Sequence, residues 1–347
     1  MKGAAPKKPK MSGRARLPPS RGIRAGCGSA DFGELSRTGA SPPRTKKTSP
    51  SHGAEDGEKH VEFSNLDKVL YPDAGFTKGQ VIDYYLRIAP AMLPHLSGRP
   101  LTLKRYPNGV DGMFFYEKRC PAHRPDWVAT GKVWSEGNND YINYCVVEDQ
   151  ATLAWLANIA CLEMHTLLSK LPDVKSPTSM VFDLDPGEPA DILDSIRVGL
   201  LMRDTLDKLG LKSFAKTSGS KGLHLWVPLN TPTTFERTKQ FAHAVALMLE
   251  REHPKEVLSV MKRDLRKGKV FVDWSQNDQH KTTACAYTMR AKSQPTVSCP
   301  VTWEELETAL QKRKPERLTF KTDDVLARVK EKGDLFAPVL KLKQRLP

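Results

Sequence analysis

The chain has 347 residues, of which 27% are charged and 39% hydrophobic, and it carries a formal charge of +14. No apolar run reaches the roughly 18–20 residues of a membrane-spanning helix, which excludes an integral helical membrane protein. Twelve Lys or Arg but only two Asp or Glu lie within residues 1–50, so that segment carries most of the excess charge. Net charge therefore indicates little about the partners of the rest of the chain.

Residues 1–58 are rich in Lys, Arg, Pro, Ser and Gly, and Phe32 is their only aromatic residue. Such a segment buries too little apolar surface to offset the entropy lost on ordering. We therefore predict a disordered basic tail over residues 1–58 and one catalytic domain over residues 59–347.

The cysteines show no paired spacing, which predicts free thiols and a reducing, cytoplasmic environment; they lie at positions 27, 120, 145, 161, 285 and 299. The pair Cys120 and His123 is the only one with metal-like spacing. Because a zinc site needs about four ligands, zinc is not predicted.

The first ordered elements are a helix and two strands. Thr77 and Gln80 form a capping-box pattern that opens a helix ending near His95. Residues 101–106 and 112–118 then read as strands on either side of a Pro-Asn-Gly turn.

The second of these strands carries the aromatic cluster Phe114, Phe115 and Tyr116. Alternation along a strand places Phe115 on the face opposite the other two. Burial in the core is the usual fate of such side chains. An exposed ring beside Lys104 and Arg105 would instead suit base stacking combined with phosphate contact.

Residues 141–149 read as a further strand, and Asp149 is placed to cap a helix over residues 150–169. His165 falls late on this predicted helix, next to its apolar stripe. A lone helical histidine is most often a packed or surface residue, so the pattern alone gives it no role.

The stretch Ser179–Pro186 predicts a short strand with Asp183 and Asp185 on one face; the other face is apolar, with Met180, Phe182 and Leu184. Two adjacent carboxylates repel each other and resist desolvation unless a cation lies between them. Oxygen ligands favour Mg²⁺ or Mn²⁺. An ordinary acidic turn remains the alternative at this point.

A glycine-rich turn over residues 219–222 lies between two predicted strands and carries Ser218 and Lys221 at its ends. Glycines let backbone amides approach a ligand, and the hydroxyl and the ammonium suit anionic oxygens. His224 and Trp226 project from one face of the strand that follows. The pattern favours a triphosphate site without being a Walker loop, although a plain hairpin would also explain it.

The remaining chain predicts four helical regions and one more strand. The helical regions are residues 190–209, a segment after Pro232 that ends near His253, residues 302–313 and residues 322–344. The strand covers residues 269–278 and carries a third carboxylate, Asp273. Three carboxylates on strands with a phosphate-binding hairpin between them in sequence suggest two-metal phosphoryl transfer.

These motifs together resemble the polymerase domain of bacterial DNA ligase D, in the archaeo-eukaryotic primase superfamily. The resemblance covers nearly all of residues 60–347. The matching stretches are LDKVLYPDAGFTKGQVIDYY, GRPLTLKRYPNG, FFYEK, LEMHT, VFDLDPG, KTSGSKGLHLWVPL and VDWSQN. The resemblance implies an α/β (α+β) fold in which RRM-like mixed or antiparallel strands carry the catalytic carboxylates and helices flank them.

The resemblance also implies the site residues. The ligands of two divalent ions, Mn²⁺ or Mg²⁺, would be Asp183, Asp185 and Asp273. The triphosphate would contact Ser218, Lys221 and His224. The residues around the incoming nucleotide would be Lys104, Phe114, Phe115, Gln276 and Arg290. Lys68 and Lys78 would bind a DNA 5′-phosphate, and His165 would lie near the template or nucleotide.

The implied activity is template-directed nucleotidyl transfer that fills gaps or extends 3′ ends during non-homologous end joining, with tolerance of or preference for ribonucleotides. The implied partners are gapped or primed DNA, a Ku-like end-binding protein and a separate ligase, at the bacterial nucleoid. The chain contains no K-x-D-G motif, so we expect no ligase activity from it.

Three other functions remain open from the sequence. A primase would start chains without a primer, and a glycosyltransferase could use the D-x-D motif with Mn²⁺. A non-catalytic scaffold would bind DNA ends only. The third carboxylate and the paired lysines argue against the glycosyltransferase, and the intact acidic triad disfavours the scaffold.

Overall fold

The computed structural model describes residues 59–347, which form seven α-helices and sixteen β-strands. The predicted tail over residues 1–58 lies outside this part of the chain. The helices are α1 Lys78–Leu96, α2 Gln150–Asn158, α3 Ile192–Lys208, α4 Phe235–Glu252, α5 Trp303–Lys312, α6 Thr322–Lys332 and α7 Ala337–Lys341. No helix among the described residues is long and apolar enough to cross a membrane.

The strands are short. They are β1 Val69–Tyr71, β2 Phe76–Thr77, β3 Leu101–Arg105, β4 Phe115–Glu117, β5 Thr130–Ser135, β6 Asp140–Cys145, β7 Cys161–Leu167, β8 Ser179–Pro186, β9 Phe214–Thr217, β10 Leu223–Pro228, β11 Val257–Leu258, β12 Val270–Asp273, β13 Thr282–Ala284, β14 Met289–Ala291, β15 Pro295–Val297 and β16 Pro300–Val301.

The acidic strand lies inside a six-stranded sheet of the described domain, in the order β11-β12-β8-β10-β9-β16. The pairing is antiparallel except between β11 and β12. Helix α3 covers the apolar face of this sheet. A Cβ at Gly199 on α3 would lie 3.0 Å from the Leu223 side chain, so the helix approaches the strands closely at this position.

A second six-stranded sheet of the described residues has the order β13-β7-β3-β6-β5, and β4 also pairs with β3. Helices α1 and α2 pack against each other, and α2 contacts β7. The Tyr85 hydroxyl on α1 donates to the Leu162 carbonyl at 2.7 Å, which ties α1 to the middle of this sheet. Helices α1 and α2 therefore lie against this sheet at β7.

Most predicted elements are confirmed. The capping box of Thr77 and Gln80 opens α1, and β8 occupies the predicted residues. The glycine turn joins β9 to β10, and Gly210, with φ of +74°, follows α3 as predicted. Strands β4, β6 and β12 are shorter than predicted, and β12 passes directly into a single 3-10 turn over Trp274–Gln276.

The predicted helix over residues 150–169 is wrong in its second half. Asp149 does cap the helix, since its Oδ1 accepts from the Thr152 amide at 2.7 Å, but α2 ends at Asn158. Ala160 adopts φ of +58°, and the following residues form β7, so His165 lies on a strand. Strand β7 runs between β3 and β13. Interior strands carry apolar residues on both faces, so their sequence can resemble the apolar stripe of a helix.

Cys120 and Cys145 form a disulfide across 25 positions of sequence, while Cys161, Cys285 and Cys299 are free and buried. The prediction of free thiols is wrong for this pair, because the fold rather than a short spacing brings the two sulfurs together. The sulfur of Cys120 is thereby occupied, which gives no support to a zinc site with His123.

Candidate active site

The three acidic residues lie on one face of the first sheet. Asp183 on β8 stands directly opposite Asp273 on β12 and opposite His224 on β10. Directly opposite side chains in antiparallel strands have Cβ atoms about 4.5–5.5 Å apart. Asp185 lies two residues further along the same face, whereas Phe182 and Leu184 are fully buried on the other.

All three carboxylates have close polar partners, and that of Asp183 is His224, whose Nε2 lies 3.3 Å from Oδ1. Asp185 lies 3.1 Å from Nη1 of Arg266 and 4.0 Å from Nζ of Lys221. Asp273 accepts from the Ser275 amide at 3.0 Å and from Gln276 Nε2 at 2.9 Å. Gln276, which the resemblance assigns to the surroundings of the incoming nucleotide, therefore lies beside Asp273.

The pKa values of Asp183 and Asp185 are shifted in opposite directions. Burial raises the pKa of Asp185, and the nearby charges of Asp183 and Asp273 raise it further against the opposing effect of Lys221 and Arg266. Burial also acts to raise the pKa of Asp183, but His224, Lys216 and Arg290 outweigh it, so this pKa is lowered. A carboxylate with a raised pKa beside two others gains from an added cation.

No group of three or more His, Cys, Asp or Glu side chains within residues 59–347 is arranged as a metal site. Asp185 accepts a hydrogen bond from Arg266, and Asp273 accepts hydrogen bonds from Ser275 and Gln276. The donor set itself, three carboxylates at neighbouring sheet positions, fits a hard divalent ion. Suitable ligands for a divalent ion are thus present, although their side chains do not converge on one point.

The side chain of Ser218 closes the glycine turn. Ser218 Oγ accepts from the amides of Ser220 at 3.2 Å and Gly222 at 3.1 Å. Gly219 has φ of +68°, and a Cβ there would lie 2.7 Å from the Val297 backbone, so another residue would not fit. Lys221 projects from this turn with 56% of its side chain exposed, available to an anionic ligand.

His224 is part of a buried network that the sequence reasoning missed. Lys216 on β9 lies opposite His224, and its Nζ is 2.8 Å from His224 Nδ1 and 2.6 Å from Ser298 Oγ. Nε2 of His224 lies 3.3 Å from Oδ1 of Asp183, a carboxylate that can only accept, so the ring proton is on Nε2 and Nδ1 accepts from the Lys216 amine. The hairpin register, which pairs residue 216 with residue 224, could have revealed this lysine.

Burial and the neighbouring Lys216 lower the pKa of His224 to about 4. Burial, followed by the charge of Arg290, lowers the pKa of Lys216 to about 7. His224 is therefore a neutral imidazole at neutral pH, and it presents one N–H donor to the acidic face.

A second cluster surrounds Glu163 on β7, which sequence reasoning also missed although it lies two residues before His165. Its carboxylate lies 3.2 Å from Lys104 Nζ, 2.9 Å from His165 Nε2 and 3.2 Å from Arg290 Nε. Nη1 of Arg290 donates to the Ser218 carbonyl. The structure therefore brings Lys104, His165 and Arg290 together and joins them to the glycine turn.

The aromatic cluster is exposed rather than buried, since Phe114, Phe115 and Tyr116 have 50%, 47% and 53% of their surfaces accessible. Burial in the core, the usual expectation, is wrong here. The Phe114 ring stacks on Tyr106 with centroids 5.3 Å apart, and Lys104 Nζ lies 5.1 Å from the Phe114 centroid. Exposed rings held next to a cation suit contact with a base or sugar.

The two lysines predicted to bind a 5′-phosphate are adjacent. The Lys78 amide donates to the Lys68 carbonyl at 2.8 Å. Lys78 is buried and its Nζ donates to the Ser64 carbonyl at 2.5 Å, whereas Lys68 Nζ reaches Asn108 Oδ1 at 3.2 Å. Burial and then the charge of Lys68 lower the pKa of Lys78.

The same architecture occurs in a solved structure, the polymerase domain of Mycobacterium tuberculosis ligase D in complex with DNA. The TM-score is 0.76 at 40% sequence identity, over 82% of this chain and 99% of that one. The fold is thus the primase-type α/β fold of that polymerase domain.

Sequence comparison agrees with the structural match. The model of the LigD primase-polymerase domain matches residues 77–336. The multifunctional non-homologous end joining protein LigD of Mycolicibacterium smegmatis is 41% identical over 283 residues, which are 81% of this chain and 36% of that protein. The bifunctional LigD of Bacillus subtilis is 31% identical over 274 residues, 79% of this chain and 43% of that protein.

The chain belongs to the LigD primase-polymerase domain family. It spans less than half the length of each of these two curated relatives.

Proposed function

We propose that this chain is a template-directed nucleotidyltransferase that extends a DNA 3′ end. The observation that carries the proposal is the position of Asp183, which faces Asp273 on one neighbouring strand and His224 on the other. The glycine turn over residues 219–222 leads directly into β10, the strand that carries His224. Lys221 on this turn lies 4.0 Å from Asp185, so the turn is next to the acidic group. Membership of the primase-polymerase family supports the same activity.

Asp183, Asp185 and Asp273 would hold two divalent ions, Mg²⁺ or Mn²⁺. When bound, such ions lower the pKa of an attacking hydroxyl and neutralise the charge on the triphosphate. The ions would lie near the end of β8. Arg266 would have to move away from Asp185 for the carboxylate to bind an ion. The reaction joins the primer 3′ oxygen to the α-phosphorus and releases pyrophosphate.

The remaining residues would bind the nucleotide from two sides. Ser218 and Lys221 on the glycine turn, together with His224, would contact the triphosphate. The rest of the nucleotide would meet Lys104, Phe114, Phe115, Gln276 and Arg290. Contacts of Arg290 with Ser218 and of Gln276 with Asp273 support this grouping.

DNA would be held outside the nucleotide site. The adjacent lysines Lys68 and Lys78 would bind a 5′-phosphate, Lys68 directly because its ammonium is accessible and Lys78 after leaving Ser64. His165 would lie near the template, since its ring is 6.5 Å from that of the exposed Tyr116. The solved relative is a complex with DNA, which supports this part of the proposal.

The cellular role would be gap filling and end extension in non-homologous end joining, because the relatives are named for that process. The partners would be a Ku-like end-binding protein and a separate ligase, in the cytoplasm at the nucleoid. Ribonucleotides would be tolerated or preferred, and the assay below measures this by comparing NTPs with dNTPs.

The test is primer extension on gapped DNA, with NTPs and dNTPs in parallel and with or without a 5′-phosphate. The native chain should incorporate nucleotides, and Asp183→Ala should lose incorporation while still binding the DNA. Unchanged extension by Asp183→Ala would refute the assignment of the site. Label entering an unprimed template would indicate a primase, and binding without incorporation by the native chain would indicate a scaffold.

A further inference from the structure

Glu163 is the most heavily paired carboxylate near the proposed nucleotide site. Only 1% of the residue is exposed, and it contacts cationic or titratable side chains from three strands: Lys104 on β3, His165 on β7 and Arg290 on β14. The Ala291 amide also donates to its Oε1 at 3.1 Å. Although burial raises the pKa of Glu163, His165, Arg290 and Lys104 lower it far more, so the residue is charged at neutral pH.

Two of the partners of Glu163 also contact other parts of the proposed nucleotide site. Lys104 also lies over the exposed Phe114 ring, 5.1 Å from its centroid. Arg290 also donates from Nη1 to the carbonyl of Ser218 in the glycine turn. Nε of Arg290 lies 3.2 Å from Glu163 Oε2 but makes no well-aligned hydrogen bond, so charge attraction holds this end of the guanidinium.

Glu163 therefore connects two features that are far apart in sequence, the aromatic cluster and the glycine turn. Without its negative charge, Lys104 and Arg290 would be two like charges close together in a partly buried site. Like charges at short range repel, and each would move towards solvent. Both residues would then leave the positions in which the nucleotide is expected to meet them.

We propose that Glu163 is a positioning residue that sets the places of Lys104 and Arg290 for nucleotide binding. The inference rests on the proposed function, because it assigns these two residues to the nucleotide. It makes Glu163 a determinant of nucleotide affinity rather than of the chemical step, which belongs to the carboxylates on β8 and β12.

The test compares Glu163→Gln, which keeps the shape of the side chain and removes its charge, with native protein. The KM for the nucleotide should rise about tenfold, the size of one lost charge-assisted hydrogen bond, with kcat within about twofold. A matched control is Glu305→Gln. Glu305 is a part-buried carboxylate paired with Arg328 at 2.8 Å and Lys332 at 2.7 Å, on α5 and outside the site.

Glu305→Gln should lower thermal stability without changing the KM. An unchanged KM in Glu163→Gln would overturn the proposal. A loss of kcat at constant KM would assign Glu163 to the chemistry and would overturn it as well. An equal rise in KM in both variants would show a general structural effect, again contrary to the proposal.

A second measurement does not depend on catalysis. Glu163 raises the pKa of His165 against the effects of burial, Arg290 and Lys104. The pKa of the His165 imidazole, followed by NMR in metal-free protein, should therefore fall further in Glu163→Gln and stay unchanged in Glu305→Gln. If the native chain incorporates no nucleotide, the proposed function fails, but this titration still decides whether Glu163 holds the cluster. An unchanged His165 pKa would refute the role of Glu163 in holding this cluster of side chains.

Discussion

Acidic residues at two places in this domain have opposite electrostatic surroundings. On the first sheet, Asp183, Asp185 and Asp273 face one another, and the pKa of Asp185 is raised by burial and by its acidic neighbours. On the second sheet, Glu163 stands alone among basic side chains, which hold its pKa far below the usual range.

This difference in surroundings indicates two different roles for the carboxylates. A carboxylate whose pKa is raised by burial and by acidic neighbours gains from an additional positive ion, so the end of β8 suits metal binding. A carboxylate that already has several basic partners has no such capacity, and it fixes the positions of those partners instead. The following predictions test this contrast, beginning with the largest expected effect.

Asp273→Asn should reduce nucleotide incorporation by about three orders of magnitude, equivalent to about 4 kcal/mol of transition-state stabilisation, because one of the three carboxylates proposed to bind metal is lost. Single-turnover extension on gapped DNA measures this. The control is Asp278→Asn, which removes an ion pair with Lys239 at 2.6 Å and should retain incorporation. Equal activity of both variants would contradict the role of Asp273.

Mn²⁺ should stabilise the native chain against heat. Binding at a hundredfold excess over Kd contributes about 2.7 kcal/mol, which corresponds to a rise in Tm of about 4 °C for a domain of this size. EDTA should reverse the shift. Asp183→Asn should abolish most of it, while Glu163→Gln should retain it, because Glu163 is not expected to bind the ion. A shift that persists in Asp183→Asn would place the metal elsewhere.

Phe115→Ala should weaken binding of nucleotide or DNA by about 1–2 kcal/mol, the size of a lost stacking contact. Because Phe115 is 47% exposed, the Tm should change little. Phe115→Trp is the conservative control and should retain affinity. A large fall in Tm with unchanged affinity would show that Phe115 contributes to packing rather than to ligand binding.

Glu305→Gln should destabilise the domain at neutral pH by about 1 kcal/mol, a value reduced for partial exposure of the ion pairs. Arg328 and Lys332 help lower the pKa of Glu305 to about 2, although burial opposes them. The contribution of the charged group is therefore complete above its unfolded pKa, near 4.5, and is lost as the pH falls towards 2. The Tm difference between native and variant protein should shrink over that range, and a constant difference would exclude the charge as its cause.

Local chemistry explains which structural features could be predicted. The alternation around Asp183 and Asp185 predicted both faces of β8, and the glycine turn predicted the β9–β10 hairpin, because each feature depends on neighbouring residues. The helix predicted across His165 was wrong because an interior strand and a helix can share the same run of apolar residues. Cys120 and Cys145 likewise gave no signal, since packing between distant segments joins them.

The sequence by itself determined the acidic strand, the glycine turn, the capped helices and the family resemblance, since short-range backbone preferences and motif spacing are written in consecutive residues. Only the tertiary structure decided that Asp273 and His224 flank Asp183, that Lys216 orients His224, and that Glu163 gathers Lys104, His165 and Arg290. Strand order and register decide these contacts. They depend on the burial of whole faces of a sheet, which no local pattern specifies.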